Sequence, residues 1–241
     1  MEQQSTFFKS DVIARRPKAD EAIRIHGLLR PLRQAQGPHN DNIVDLGLTC
    51  YEQVLELQQK LSQEIALNNR KELIIITEHF PVYTCGRSTK PHERPLNSEI
   101  PVVDIERGGG LTYHGPGQIV GYPILNLNRR KLSIPNYLRS LENALISVLA
   151  ELGVEAHYRE ACLAGVWVGE KKLISIGIAV RRWVTFHGFA LNVDCDLTPF
   201  RMARPCGMSG DKVTSLKELG YEITKEKLIL NIKEALLKTF F

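Results

Sequence analysis

A chain of 241 residues, 43% of them hydrophobic, is long enough to bury a full core and suits one large domain or a domain with a small appendage. No run approaches the roughly eighteen apolar residues of a membrane helix and the start lacks a signal-peptide apolar core, so a cytoplasmic protein without a membrane span is expected. The formal charge of +4 comes mostly from residues 1–40, with seven Lys/Arg against four Asp/Glu, and the nearly neutral remainder argues against a nucleic-acid-binding body.

Residues 1–40 carry Arg15-Arg16, Arg30, Arg33, Pro17, Pro31 and Pro38 with no sustained apolar period, which predicts a basic, poorly packed extension before a folded unit at 41–241. Asp11, Asp20 and Glu21 weigh against a transit peptide. From Thr49, the spacing of Val54, Leu57, Leu61 and Ile65 predicts a core-facing helix of roughly four turns. The β-branched run 72–77 predicts a buried strand that delivers a polar loop, Glu78-His79-Phe80-Pro81-Val82-Tyr83-Thr84-Cys85-Gly86-Arg87. Strands at 100–105 and 119–127 flank a glycine-dense stretch, 107–118. Pro135 near the start, Leu138, Leu141, Leu145, Val148, Leu149 and Leu152 on one face, and Gly153 at the stop define the clearest helix. Residues 163–193 read as three strands with turns at Gly169-Glu170 and Arg181-Arg182, so the sheet should be largely antiparallel. A loop with Pro199, Pro205 and Gly207, a short helix near 213–219 and an amphipathic helix from Thr224 through Leu228, Ile232 and Leu236 complete an α+β unit.

The stretch Arg107-Gly108-Gly109-Gly110-Leu111-Thr112-Tyr113-His114-Gly115-Pro116-Gly117-Gln118 sets charge, hydroxyl, imidazole and amide groups among glycines, between apolar segments. Glycine lets main-chain N–H groups approach a ligand, so a backbone-lined cradle is the functional reading and a long hairpin connection the plain one. Five cysteines (Cys50, Cys85, Cys162, Cys195, Cys206) without a C-x-x-C pair indicate neither a disulfide framework nor a zinc ribbon. Cys206, between Pro205 and Gly207, is a reasonable seat for a nucleophile or else a small buried residue, and Cys85 beside Gly86-Arg87 is its rival. A thiol is only a few per cent ionised at neutral pH, so a catalytic cysteine needs a nearby cation or base. Lys172 is the candidate, with a solvated turn lysine as the alternative. Lowering a thiol pKa by about 1.5 units needs roughly 2 kcal/mol of differential stabilisation, within reach of one partly desolvated ammonium. His114 and His187 stand in similar Thr-Tyr-His-Gly and Thr-Phe-His-Gly tetrapeptides; zinc held by both with Cys206 lacks a supporting ligand spacing. Neither a Walker loop, a dinucleotide fingerprint nor a serine-hydrolase elbow is present.

Taken together, five ordered segments resemble the lipoyl(octanoyl) transferases: Glu78-His79 with Pro81-Val82-Tyr83-Thr84 and Gly86-Arg87; the stretch 107–118; Gly165-Val166-Trp167-Val168 with Lys172-Leu173-Ile174-Ser175-Ile176-Gly177; Thr185-Phe186-His187-Gly188-Phe189-Ala190-Leu191-Asn192; and Pro205-Cys206-Gly207. The resemblance covers roughly residues 43–219. It implies the catalytic-domain fold of biotin and lipoate protein ligases, a mixed sheet flanked by helices. It also implies Cys206 as nucleophile and Lys172 as the residue that lowers its pKa, with acyl-substrate contacts from Arg107, Gly108, Gly109, Gly110, Leu111, Thr112, Tyr113 and His114, from Ser175, Ile176 and Gly177, and from Gly188, Phe189 and Ala190. The implied donor is octanoyl-acyl carrier protein, and the implied acceptors are lipoyl domains of 2-oxoacid dehydrogenase complexes and the glycine cleavage H protein. No cofactor is implied, because a thioester is already activated. An ATP-dependent lipoate or biotin ligase, or a non-catalytic relative that binds lipoyl domains, would share the fold. Arg129-Arg130-Lys131 and Arg181-Arg182 are attractive contacts for an acidic carrier protein, or else solvated turns.

Overall fold

The computed structural model describes residues 42–95, 98–159, 164–203 and 212–241. The expected N-terminal extension, Cys162 and Cys206 lie outside the described residues.

The run Leu73-Ile74-Ile75-Ile76 has no polar face, so it can be satisfied only where both sides of a strand are covered. It forms the middle of β2 (Leu73–His79), the second strand of a six-stranded sheet. Ile74 and Ile76 face one core layer, and Leu73 and Ile75 face the other. The first layer is closed by α2 (Ile134–Glu151) and α4 (Lys225–Phe240), through Leu141, Leu145, Val148, Leu228, Ile232 and Leu236. The second is closed by α1 (Tyr51–Ala66), whose Val54, Leu57, Leu61 and Ile65 carry the predicted stripe. Burying each such side chain contributes about 1.5–3 kcal/mol, which commits both faces of the sheet to helices.

The large sheet runs β1-β2-β6-β9-β8-β7, with β1 (Ile43–Thr49), β6 (Gln118–Ile124), β7 (Gly165–Val168), β8 (Lys171–Arg181) and β9 (Val184–Asn192). Only β1 and β2 pair in parallel, joined by α1 as the crossover; the other pairings in this sheet are antiparallel. A second sheet of three strands, in the order β4-β3-β5, contains β3 (Val82–Cys85), β4 (Val102–Asp104) and β5 (Leu111–His114). Its apolar face packs on α3 (Thr198–Met202), through Tyr83, Leu111, Tyr113 and Phe200.

The expected α+β fold is therefore found, with a largely antiparallel sheet and covering helices, but it is split into two sheets. Three local expectations differ. The glycine stretch 107–118 is no simple loop, because its second half forms β5 and pairs with β3. Strand β1 was not anticipated: Gly47, at φ +63 with its N–H donating to Asp45 Oδ1 at 3.1 Å, breaks the alternation by a bulge between Asp45 and Leu48. Residues 213–219 form a bridge and turns instead of a helix. Thr214, Leu216 and Lys217 donate their backbone N–H groups to the carbonyls of Lys172, Asn192 and Val193, which leaves those donors unavailable for helical pairing.

Candidate active site

Three close approaches shape the glycine cradle. A Cβ on Gly86 would collide with the Gly109 carbonyl, so β3 and the cradle can touch only through glycine. A Cβ on Gly177 would stand 2.7 Å from Arg107 Cδ, so the bare backbone of β8 lets the arginine lie flat across it. Gly108 N–H donates to the Ile178 carbonyl at 2.9 Å, tying the cradle to the same strand. Buried Arg107 then donates to the Gly108 and Gly110 carbonyls at 2.8 Å each and reaches Thr84 at 3.4 Å. Its guanidinium holds the loop that it begins.

The other two segments singled out from sequence meet in register on adjacent strands: Ser175 opposite Ala190, Ile176 opposite Phe189, Gly177 opposite Gly188. Together with the cradle they enclose two adjoining cavities. The larger, called the outer cavity, of about 190 Å³, is lined by Arg107, Gly108, Gly109, Leu111, Thr112 and Lys172 among others; the smaller, called the inner, of about 30 Å³, by His114, His187, Gly188, Phe189 and Ala190 among others. Arg107, Thr112, Ser175, Ile176 and Gly177 form walls of both. Gly110 and Tyr113 line neither. The Gly110 carbonyl serves Arg107, and Tyr113 packs edge-on against Phe200 with ring centroids 5.5 Å apart.

Lys172 is not a solvated turn residue. It is 5% exposed, its Nζ lies 5.6 Å from the Trp167 ring centroid, and a Cβ on Gly165 would stand 2.5 Å from its Cε. A bulge accounts for its direction. Val166 pairs with Ile174 and Trp167 with Lys172, so Leu173 is an extra residue on β8. Without it, Lys172 would share the parity of the core residues Ile174 and Ile176; with it, both Leu173 and Ile174 enter the core and Lys172 lines the outer cavity beside Ser175. Both strands are tied to their surroundings here: on β7, Gly165 N–H donates to Glu142 Oε1 at 3.0 Å, and on β8 the Lys172 carbonyl accepts from Thr214 N–H at 3.0 Å.

Beside the inner cavity lies a cluster that sequence reasoning did not assign. Tyr51 stacks on His114 at 5.9 Å between centroids, and His79 sits against both rings. His79 Nε2 is 2.7 Å from the Tyr122 hydroxyl, and its Nδ1 is 3.2 Å from Thr49 Oγ1. A chain of buried amides extends from His114: its Nδ1 is 3.1 Å from Gln118 Oε1, Gln118 Nε2 donates to Asn192 Oδ1 at 2.9 Å, and Asn192 Nδ2 donates to the Thr214 carbonyl at 2.9 Å. Glu78-His79 was visible as a motif, but Tyr51, on the buried stripe of an amphipathic helix, and Tyr122, in an apolar strand, read as core.

Burial pushes all three histidines down: His79 to about 3, His114 to about 4 and His187 to about 3, with the Arg107 charge adding to the depression of the last two. They are neutral at pH 7. In the unfolded chain a histidine titrates near 6.5, so from about pH 6.5 down to about 4 the unfolded state binds more protons and stability falls with pH. The loss is up to about 1.4 kcal/mol per pH unit for each ring and levels off below the folded values. Thermal denaturation between pH 7 and pH 5 should therefore show a falling midpoint, with a shallower slope in His79→Gln; equal slopes would show that these rings do not govern acid sensitivity.

The rival thiols are unsuited to ionise. Burial pushes Cys85, in β3, upward despite the nearby Arg94 charge; burial also raises Cys50, and it raises Cys195 to about 12. Phe200 and Val213, on either side of Cys206 in the chain, both line the outer cavity. Of the suggested basic contacts, Arg130 pairs with Glu72, Arg129 donates to the Ile65 carbonyl, and Arg181 pairs with Glu106; Arg129, Lys131, Arg181 and Arg182 are all exposed. No helix among the described residues is long and apolar enough to cross a membrane.

The lipoyl protein ligase A/B catalytic-domain family matches residues 50–241. An octanoyltransferase of Geotalea uraniireducens is 48% identical over 73% of this chain and 81% of its own, and one of Syntrophotalea carbinolica is 49% identical over 73% and 83%. This chain belongs to the octanoyltransferases. The octanoyltransferase fold is shared more widely. A lipoate-protein ligase A bound with ATP superimposes with a TM-score of 0.62 at 15% identity, covering 82% of this chain and 83% of that one. The bipartite lipoate protein ligase of Thermoplasma acidophilum, studied with its E2 lipoyl domain, gives 0.57 at 16%, covering 76% and 79%. At those identities the likeness concerns the fold alone. As an octanoyltransferase the protein is an acyltransferase of protein lipoylation.

Proposed function

We propose that this octanoyltransferase takes its acyl group from octanoyl-acyl carrier protein, holds it as a thioester on Cys206, and delivers it to a lysine of a lipoyl domain. In the first step the Cys206 thiolate attacks the donor's thioester carbonyl and the carrier thiolate leaves. In the second the acceptor lysine, as a free amine, attacks the acyl-enzyme; an amide forms, the Cys206 thiolate departs and the amine proton is lost to the site. Backbone N–H groups of Cys206 and Gly207 would hold the oxyanion in both steps. The acceptors by this reading are lipoyl domains of 2-oxoacid dehydrogenase complexes and the glycine cleavage H protein, the compartment is the cytoplasm, and residues 41–241 act as one catalytic domain.

The observation that carries the reading is a buried ammonium, that of Lys172, lining a cavity whose wall includes residues on both sides of Cys206. An ammonium removed from water favours a neighbouring thiolate, which is the form the first step requires. The cradle, with Ser175, Ile176 and Gly177 and with Gly188, Phe189 and Ala190, is the acyl-binding wall. Burying the methylenes of an eight-carbon chain there would contribute about 5 kcal/mol at about 0.8 kcal/mol each, enough to retain the intermediate.

Intact-protein mass spectrometry after incubation with octanoyl-acyl carrier protein, without ATP, tests the reading. A single octanoyl increment, released by hydroxylamine and mapped to the Cys206 peptide, is expected. An increment at Cys85, or one that requires free octanoate and ATP, would replace it with a different nucleophile or with a ligase.

A further inference from the structure

We propose that His187 and one ordered water molecule form a polar end wall to the acyl pocket, and that this wall, more than the available space, ends the accepted chain at eight carbons. The proposal rests on the reading of the two cavities as the acyl site.

His187 occupies a position that its own packing does not explain. It is 1% exposed, and neither Nδ1 nor Nε2 has a hydrogen-bond partner among the described residues. Its backbone lies at φ +58, a left-handed conformation that is uncommon for a residue with a Cβ and unusual within a strand. His187 N–H donates to Gln58 Oε1 at 2.7 Å, and Gln58 is itself fully buried on α1. The side chain thus held lines the inner cavity and not the outer one. Lys172 has the opposite distribution, lining the outer and not the inner. The two residues therefore line different members of a pair of cavities whose shared walls are Arg107, Thr112, Ser175, Ile176 and Gly177, and a chain that starts beside Lys172 reaches His187 by passing from one cavity to the other.

A neutral imidazole has one donor and one acceptor, and a buried site that leaves both unmade is disfavoured unless something fills it. The inner cavity, at about 30 Å³, has room for one water molecule or two, since each requires about 10–15 Å³ measured in this way. Thr112, Ser175 and Tyr51 bring hydroxyl-bearing side chains to the same walls, so a water there can find the two or more partners that hold it in place. Burial keeps His187 neutral, and it can offer that water either a donor or an acceptor.

An apolar chain that starts beside Lys172 meets glycine backbone and Ile176 before it meets this wall. A terminal methyl that stops short of the water leaves the wall's hydrogen bonds intact. A chain two carbons longer must displace the water and replace its hydrogen bonds with nothing, and displacement of a well-ordered water by an apolar group loses affinity. His187 acts through the water and is a positioning residue.

The test is the chain-length profile. Rates of acyl-enzyme formation from hexanoyl-, octanoyl-, decanoyl- and dodecanoyl-carrier protein are compared for the full chain and for His187→Leu and His187→Asn. Asparagine accepts a left-handed backbone and retains a donor and an acceptor; leucine retains bulk without either. The leucine variant should lower the octanoyl-to-decanoyl ratio about tenfold or more, the effect expected of removing a buried polar group that a methyl cannot satisfy. The asparagine variant should hold the ratio within about threefold of the wild-type value, well inside that tenfold step. An unchanged ratio in the leucine variant, or an equal shift in both, would overturn the proposal, the latter because space alone would then set the length. Should the leucine variant fail to fold, a high-resolution structure of the octanoylated wild-type protein decides: a water on the His187 ring is expected, and the acyl methyl or a protein group in its place overturns the proposal. A wild-type protein that takes up no octanoyl group would overturn the acyl-site reading instead, while a water bound to His187 in the acyl-free structure would still report separately on the wall.

Discussion

Lys172→Met should lower kcat/KM for octanoyl transfer by about 10²–10⁴-fold, the range lost when a positioned proton-transfer or charge-stabilising group is removed. Methionine nearly matches the lysine's length and can fill the slot between Gly165 and Trp167, so the variant keeps the packing and loses the charge. The chemical loss follows from the thiol: with an ordinary pKa near 8.5, Cys206 without a neighbouring cation is only a few per cent thiolate at pH 7. The rate of the variant should therefore climb with pH through about 8.5, and its deficit should narrow at pH 9. Lys172→Arg should not rescue it, because a planar guanidinium is too broad for a channel so close to the Gly165 backbone. Wild-type rates and an unshifted pH profile in Lys172→Met would remove Lys172 from the thiol's activation.

The sequence was most legible where hydrophobic period and chain punctuation agreed. Pro135 near its start and Gly153 past its end bounded α2 to within a residue or two, and the Gly169-Glu170 turn placed β7 against β8. The glycine-rich cradle was legible too, since three consecutive glycines after an arginine have few other uses. What escaped notice depended on contacts distant in sequence. Nothing local says that Leu173 is a bulge; it is one because β7 and the bridge to Val213 hold Lys172 from both sides. Tyr51 falls on the buried stripe of α1 and reads as core until β5 brings His114 against it. His187 is hidden for the same reason: a histidine in an apolar strand reads as a satisfied core residue, and only the assembled walls reveal two ring nitrogens left unmade.

Arg107→Met should cost about 3 kcal/mol or more and abolish octanoyl transfer even well below the melting temperature. Two hydrogen bonds from a charged donor, at 2.8 Å to the Gly108 and Gly110 carbonyls, contribute about 1.5–3 kcal/mol each, and a methionine can donate neither. For a chain of this size that corresponds to a drop in Tm of roughly 6–12 °C, at about 2–4 °C per kcal/mol. Lysine cannot substitute, because one ammonium cannot serve carbonyls on both sides of the loop as the guanidinium fork does. A second readout distinguishes loss of the charge from loss of the loop. Burial is the first cause of the low pKa of His114 and His187, and Arg107 the second, so both rings should titrate higher in Arg107→Met while remaining below the ordinary histidine value. Three backbone bonds oppose collapse: Gly86 N–H to the Gly110 carbonyl at 3.3 Å, Arg87 N–H to the Arg107 carbonyl at 3.0 Å, and Gly108 N–H to the Ile178 carbonyl at 2.9 Å. If these alone hold the cradle, the variant will keep its Tm and its activity, and the guanidinium will have no structural role. The geometry favours the other outcome, because the Gly110 carbonyl accepts from Gly86 at 3.3 Å but from Arg107 at 2.8 Å, and the shorter, charge-assisted bond is the stronger one.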